Sequence, residues 1–172
     1  MQKKNFGVGK AGNCLCFWFQ KKIVLNIGPD WPFNLCMLTL IIGAFCGFLF
    51  YMAPRVNPGM QYLGCSVISL LFVSYCTTAL KNPGIQLDSA EVDLEHGKPS
   101  LCQTCRIYKH KDTEHCDDCD LCIIELDHHC PFTGKCIGKD NLAFFYTFLF
   151  SIFATFAYFF VWLIALKARL NK

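Results

Sequence analysis

Apolar residues in this chain gather into long uncharged blocks instead of recurring at helix or strand period. Leu35 to Met52, Met60 to Leu80 and Leu142 to Leu166 contain no charged residue. A helix of ~20 residues crosses a hydrocarbon core, so each block predicts a membrane span, the first only just long enough. A buried helix of a water-soluble domain is the alternative for any one block, but three such helices in 172 residues leave too little polar sequence to cover them. Pro54, Pro58 and Gly59 between the first two blocks predict a tight turn, which makes residues 35–80 a helical hairpin. The second span stops at Lys81-Asn82-Pro83-Gly84, where proline removes a backbone donor and glycine accepts left-handed geometry.

The polar remainder divides into an N-terminal segment, 1–34, a linker, 81–101, a cysteine-rich stretch, 102–141, and the third span with its tail, 142–172. The N-terminal segment is basic, and its stretch from Phe17 to Leu25 suits the headgroup layer, so it is expected to lie along the membrane surface. Cys14 and Cys16 sit beside that stretch, where reversible S-acylation is physically possible. Lys3, Lys4, Lys10, Lys21 and Lys22 precede span one, Arg55 alone lies between spans one and two, and seven Lys or Arg lie between spans two and three. The positive-inside rule then puts the N-terminus and the cysteine-rich loop in the cytosol of a multi-pass protein of an endomembrane (Golgi or ER) or the plasma membrane. Lys167, Arg169 and Lys172 fall on the other side, which hints at a further span. Twelve of the thirteen acidic residues lie between 81 and 141, so the loop carries no concentrated basic stripe and nucleic acid is excluded as a partner. The spans hold no Asp, Glu, Lys, Arg or His to mark an ion path, which argues against a transporter or channel.

Seven cysteines and four histidines crowd into the 35 residues from Cys102 to Cys136. Cytosolic thiols stay reduced, and Cys-x2-Cys steps let two thiolates share a tetrahedral ion, so the cluster reads as zinc-binding. Two closed sites would use eight of the eleven groups and leave three. His110, isolated in a polar gap, is one candidate for the remainder. A Cys and a His almost side by side would make a nucleophile and its base. Spacing alone does not choose between His128 and His129 as ligand, nor exclude His110. Ligand spacings this short predict loops and short hairpins held by metal. The fold expected is an all-α integral membrane protein of three transmembrane helices, carrying a small cytosolic double-zinc module between helices two and three.

Asp127-His128-His129-Cys130 with its flanking cysteines, Asn141 and Phe145 after Cys136, and Asn82-Pro83-Gly84 at the membrane border closely resemble the DHHC family of protein S-acyltransferases (palmitoyltransferases). The resemblance implies two zinc sites, Cys102, Cys105, His115 and Cys122 for one, and Cys116, Cys119, His129 and Cys136 for the other. It leaves His110, His128 and Cys130 unclaimed. It further implies that Cys130 is a nucleophile taking a long-chain acyl group from acyl-CoA, that His128 is its general base, and that Asp127 orients the imidazole. The acyl group would pass to cysteines of substrate proteins at the cytosolic face of the lipid membrane. Both zincs would be structural, fixing the backbone around Cys130. Lys135, Lys139 and Arg106 are the cations nearest the nucleophile and so candidates for the anionic end of CoA. The phenylalanines of span three could help line an acyl slot.

The chain departs from the family pattern at several points. Phe132 stands where the family usually has Trp, beside the proposed acyl-CoA contacts. Gly134-Lys135 replaces a frequent Asn pair, and Arg106 to Glu114 lacks the usual proline. Family members typically continue into a fourth span and a Thr-Thr-x-Glu motif, so the expectation is a fragment or short form, with an inactive zinc-stabilised membrane adaptor as the alternative.

Overall fold

The computed structural model describes residues 6–20, 22–89 and 100–171. Lys3, Lys4, Lys21 and Lys172, and residues 90–99 of the linker, lie outside the described residues. Three helical spans, Trp31–Arg55, Pro58–Leu80 and Leu142–Leu170, are long and apolar enough to cross a membrane. The first comprises helix α1, Trp31–Gly47, followed by a π-helical turn, Phe48–Met52, and a 3-10 turn, Ala53–Arg55. Helix α2, Pro58–Leu80, starts with Pro58 at its first position and Asn57 as N-cap, whose side chain accepts from the Met60 amide at 2.9 Å.

Helix α2 is the central helix of the three. Its buried positions Gly64, Ile68, Leu71, Tyr75 and Thr78 recur three or four residues apart, the spacing that lines one helix face. Near the far end, Phe48 packs edge-on to Tyr158 of helix α3, Leu142–Leu170, at 5.8 Å between ring centres. Gly64 lies where those two rings approach, and a Cβ there would stand 2.4 Å from Phe48 and 2.7 Å from Tyr158. Closer to the module, Ile41, Leu71, Tyr75, Ala79 and Phe148 form a second cluster. The Ser74 and Ser151 hydroxyls meet between α2 and α3 at 3.3 Å.

The rest of the chain is strand and loop, so the all-α expectation does not describe the whole molecule. Strands β1, Phe6–Ala11, β2, Cys14–Phe19, and β3, Lys22–Ile27, form an antiparallel meander in order β1-β2-β3. Strand β1 alternates Phe, Val and Lys with Gly and Ala, and β2 opens Cys-Leu-Cys, a pattern that suits a sheet buried on one face. The buried face, with Cys14, Cys16 and Trp18, packs on Cys119, Leu121 and Cys136 of the cysteine-rich module. At the end of α2, Pro83 and Gly84 break the helix as expected. The Asn82 side chain accepts from the amides of Gly84 and Ile85 at 3.1 and 3.0 Å, and Gly84 takes φ +104°. The module then contains β4, Ile85–Gln86, β5, Thr113–Cys116, and β6, Leu121–Ile124, in order β4-β6-β5, and a second pair, β7, His128–Cys130, with β8, Lys135–Ile137. These are the short hairpins that the ligand spacing predicts.

Candidate functional site

Both groups of metal-ligating side chains are built the same way, from a Cys-x2-Cys knuckle and a His and a Cys facing each other across a hairpin. In the first, the knuckle is Cys102 and Cys105, and His115 of β5 pairs with Cys122 of β6. In the second, the knuckle is Cys116 and Cys119, and His129 of β7 pairs with Cys136 of β8. The two interleave because Cys116 both ends β5 and opens the second knuckle. Each knuckle turns back through a left-handed residue, Arg106 at φ +56° and Asp120 at φ +52°. The Cys105 and Cys119 amides point at the Cys102 and Cys116 sulfurs from 3.4 and 3.5 Å.

The donor sets fit zinc. His115 Nδ1 lies 3.6, 3.3 and 3.9 Å from the Cys102, Cys105 and Cys122 sulfurs. His129 Nδ1 lies 3.4, 3.4 and 3.6 Å from those of Cys116, Cys119 and Cys136. With Zn–S of about 2.3 Å and Zn–N of about 2.0 Å, a tetrahedron has S···N edges of about 3.5 Å. These two Cys3His clusters could each hold one zinc ion with four protein ligands and no open position. Zinc there would fix the fold of the module and supply no reacting group. His110 takes part in neither cluster.

His129 is held from behind. Its Nε2 is 2.9 Å from a carboxylate oxygen of Asp30, which leaves Nδ1 to face the thiols. Asp30 precedes α1, and its amide donates to the Gly134 carbonyl at 3.3 Å. Burial is the largest influence on His129 and opposes a proton there, but the Asp30 carboxylate, the Cys119 sulfur and Asp118 together raise the pKa.

The two-residue period of β7 turns His128 and Cys130 to the face opposite His129. Cys130 is buried and belongs to neither metal cluster. His128 Nδ1 is 2.6 Å from Asp127, and its ring stands edge-on to Phe145 at 5.1 Å. The loop after Cys130, Pro131–Thr133, is pinned to the helices. The Tyr75 hydroxyl of α2 lies 3.0 Å from both the Phe132 and Asn34 carbonyls, and the Asn34 side chain donates to the Thr133 carbonyl at 3.1 Å. Asn141 is fully buried and donates to the Thr78 and Cys136 carbonyls, both at 3.2 Å, which ties the second cluster to the end of α2.

Other candidate residues lie differently from their expected roles. Lys135 has no exposed surface, and its ammonium donates to the Asn26 carbonyl at 3.1 Å, to the Asn26 side chain and to the Lys81 carbonyl. Burial pushes its pKa down to about 7, against the pull of the neighbouring Cys14, Cys119, Cys16 and Cys136 thiols. It therefore faces the interior and not an anionic ligand in solvent. Lys139 is exposed and pairs with Glu125 at 2.8 Å. Phe132, within the Pro131–Thr133 loop, is exposed. Along α3, Phe148 packs on Tyr75 at 5.3 Å, while Phe150, Phe153, Phe156 and Phe160 face outward. Cys14 and Cys16 are buried against the second cluster, not presented to the membrane. The sequence reading missed Asp30, Asn34 and Tyr75. A polar pair at the start of an apolar span and one phenol within another were the available signals.

Residues 95–171 match the family model described as DHHC palmitoyltransferase. The chain is 26% identical over 154 residues to palmitoyltransferase ZDHHC14 of Mus musculus, covering 70% of this chain and 32% of that protein. It is 29% identical over 154 residues to palmitoyltransferase ZDHHC18-B of Danio rerio, covering 70% and 39%. It is 31% identical over 130 residues to palmitoyltransferase ZDHHC5 of Mus musculus, covering 76% and 16%. The chain thus spans well under half the length of these relatives. Two interleaved Cys3His clusters around the Asp-His-His-Cys segment, three apolar spans and this match converge on one finding: residues 95–171 match a DHHC palmitoyltransferase domain.

Proposed function

We propose that this chain is a protein S-acyltransferase that moves a long-chain acyl group from acyl-CoA to cysteines of other proteins through a thioester on Cys130. The observation that carries the reading is the strand His128–Cys130. One of its histidines joins a metal cluster, while the other, hydrogen-bonded to Asp127 at 2.6 Å, shares a face with a thiol that no cluster claims. A free thiol is only a few per cent ionised near neutral pH, so a neighbouring base is needed to raise the attacking thiolate. His128 takes the Cys130 proton, and Asp127 holds the ring and stabilises the imidazolium. The Cys130 sulfur attacks the thioester carbonyl, the C–S bond to CoA breaks, and His128 returns the proton to the departing thiol. In the second half, His128 takes the proton of the acceptor cysteine, whose sulfur displaces Cys130 and carries the acyl group away.

The module lies at the start of α1, which the basic N-terminal segment precedes, and at the end of α2, and charge bias supports placing that face in the cytosol. The supporting units are the N-terminal segment 1–34, the hairpin 35–80, the linker 81–101, the zinc domain 102–141 and the third span 142–172.

The test is labelling of the purified chain with an alkyne fatty acyl-CoA, wild type against Cys130→Ala, with zinc measured in both. We expect hydroxylamine-labile label in wild type only, and about two zinc ions per chain in each. Label that survives the substitution, or loss of a full zinc equivalent with it, would overturn the assignment of Cys130.

A further inference from the structure

The N-terminal meander has two unlike faces, and only one has a partner among the described residues. The inner face sits on the second metal cluster through Cys14, Cys16 and Trp18. On the outer face, the strand register places Phe6 opposite Phe19 and Val8 opposite Phe17, and Phe17 in turn faces Leu25. Phe6 is 67% and Val8 56% exposed, so the face turns a row of apolar side chains outward. The last row, Lys10, Leu15 and Ile27, opens onto a cleft of about 740 Å³ whose opposite wall is Trp31 and Leu35 of α1 and Ala79 and Leu80 of α2.

Position and composition identify the occupant. Strand β3 enters α1 through only Gly28, Pro29 and Asp30, and Leu25 bridges to Lys81 at the end of α2. The sheet is therefore held at the level where both spans emerge. Its outer face continues the outward apolar surface of those spans, since Trp31 and Leu35 are 56% and 54% exposed. Residues 6–27 contain no Asp or Glu, and among the described residues the charges on the outer face are Lys10 and Lys22. Aromatic and aliphatic side chains with lysine and no acid match the boundary between headgroups and acyl chains.

We propose that the outer face of the β1–β3 sheet is a lipid-binding surface, immersed in the headgroup and upper acyl layer, with phospholipid filling the cleft and Lys10 meeting headgroup phosphate. This rests on the reading of the three helices as membrane spans. The sheet then clamps the second metal cluster between itself and the helix ends, so the bilayer contributes to holding the strand that bears Cys130.

The test uses single-tryptophan chains in phospholipid nanodiscs. Trp18 and Trp162 are replaced by Phe throughout. One chain keeps Trp31, and the other carries Trp31→Phe with Leu15→Trp. Retained zinc shows that each is folded, and Phe6→Trp replaces Leu15→Trp if that chain loses zinc. Emission is followed with lipid brominated high on its acyl chains and with aqueous iodide. We expect the reporter on the sheet to be quenched by brominated lipid as strongly as Trp31 and shielded from iodide. Quenching by iodide alone would put the sheet in water, and quenching by neither would put it against protein; either result overturns the proposal. If Trp31 itself escapes brominated lipid, the membrane reading fails first.

Discussion

One imidazole joins the metal cluster nearest Cys130 to the start of the first span. His129 offers Nδ1 to three thiols and gives Nε2 to Asp30 at 2.9 Å, and Cys130 is its neighbour in the strand. Removing such a partner typically costs 10–100-fold in metal affinity. Asp30→Ala is therefore expected to release zinc from the second cluster about 10–100-fold more readily in competition with a chelator. Asp30→Asn, whose side-chain oxygen still accepts from Nε2, should retain most of the affinity. Lys135 poses a sterner case, since its buried ammonium serves carbonyls of β3 and of the end of α2. Lys135→Met leaves those acceptors unpartnered and should cost about 1–3 kcal/mol, read as a lower thermal midpoint of the module. At this scale the Cys-x2-Cys knuckles were legible, because their spacing is a local constraint, whereas spacing alone left His128, His129 and His110 undivided and only the family resemblance implied a ligand set. Asp30 and the inward course of Lys135 were not legible, because both depend on partners about a hundred residues away.

Close approaches decide how elements fit together. The tip of the β1–β2 hairpin plugs the second knuckle: the Asn13 amide donates to the Cys119 carbonyl at 2.9 Å, and its side chain to the Asp118 carbonyl at 2.9 Å. Gly12, at φ +49°, comes so near that a Cβ would stand 2.4 Å from the Asp120 carbonyl oxygen. That neighbour is backbone and cannot turn aside, so Gly12→Ala should unseat the hairpin at a cost of about 1–3 kcal/mol. Hydrogen exchange would show it as lost protection in β2 with α2 unchanged. In the bundle, Gly64→Ala forces Phe48 and Tyr158 apart and should lower the thermal midpoint in detergent by a comparable energy. The sequence made the three helices plain, since uncharged length is sufficient to read a span. It hid the meander, because alternating aromatic and sulfur residues near a membrane read equally as an interfacial stretch, and only the inward Cys14 and Cys16 distinguish the two.

For the molecule as a whole, helices and module are stabilised by different means. Span helices satisfy their own backbone groups and need no metal, whereas β4 to β8 are two to four residues each and have little apolar core beyond Leu121, Ile123 and Ile137. Zinc held by the two clusters would therefore supply much of the module's folding free energy. The meander has its inner face on the second cluster and should fall with it. Asn141 and Tyr75, which join the module to α2, would lose their partners on one side only. Stripping metal with a strong chelator is thus expected to leave helical dichroism nearly unchanged while amides of β2, β5, β6 and β8 exchange freely. Readdition of zinc should restore their protection, and protection that persists in metal-free protein would show that packing alone suffices. Acyl labelling at Cys130 should vanish and return in step with that protection, because the strand that presents Cys130 is also the strand that supplies a metal ligand.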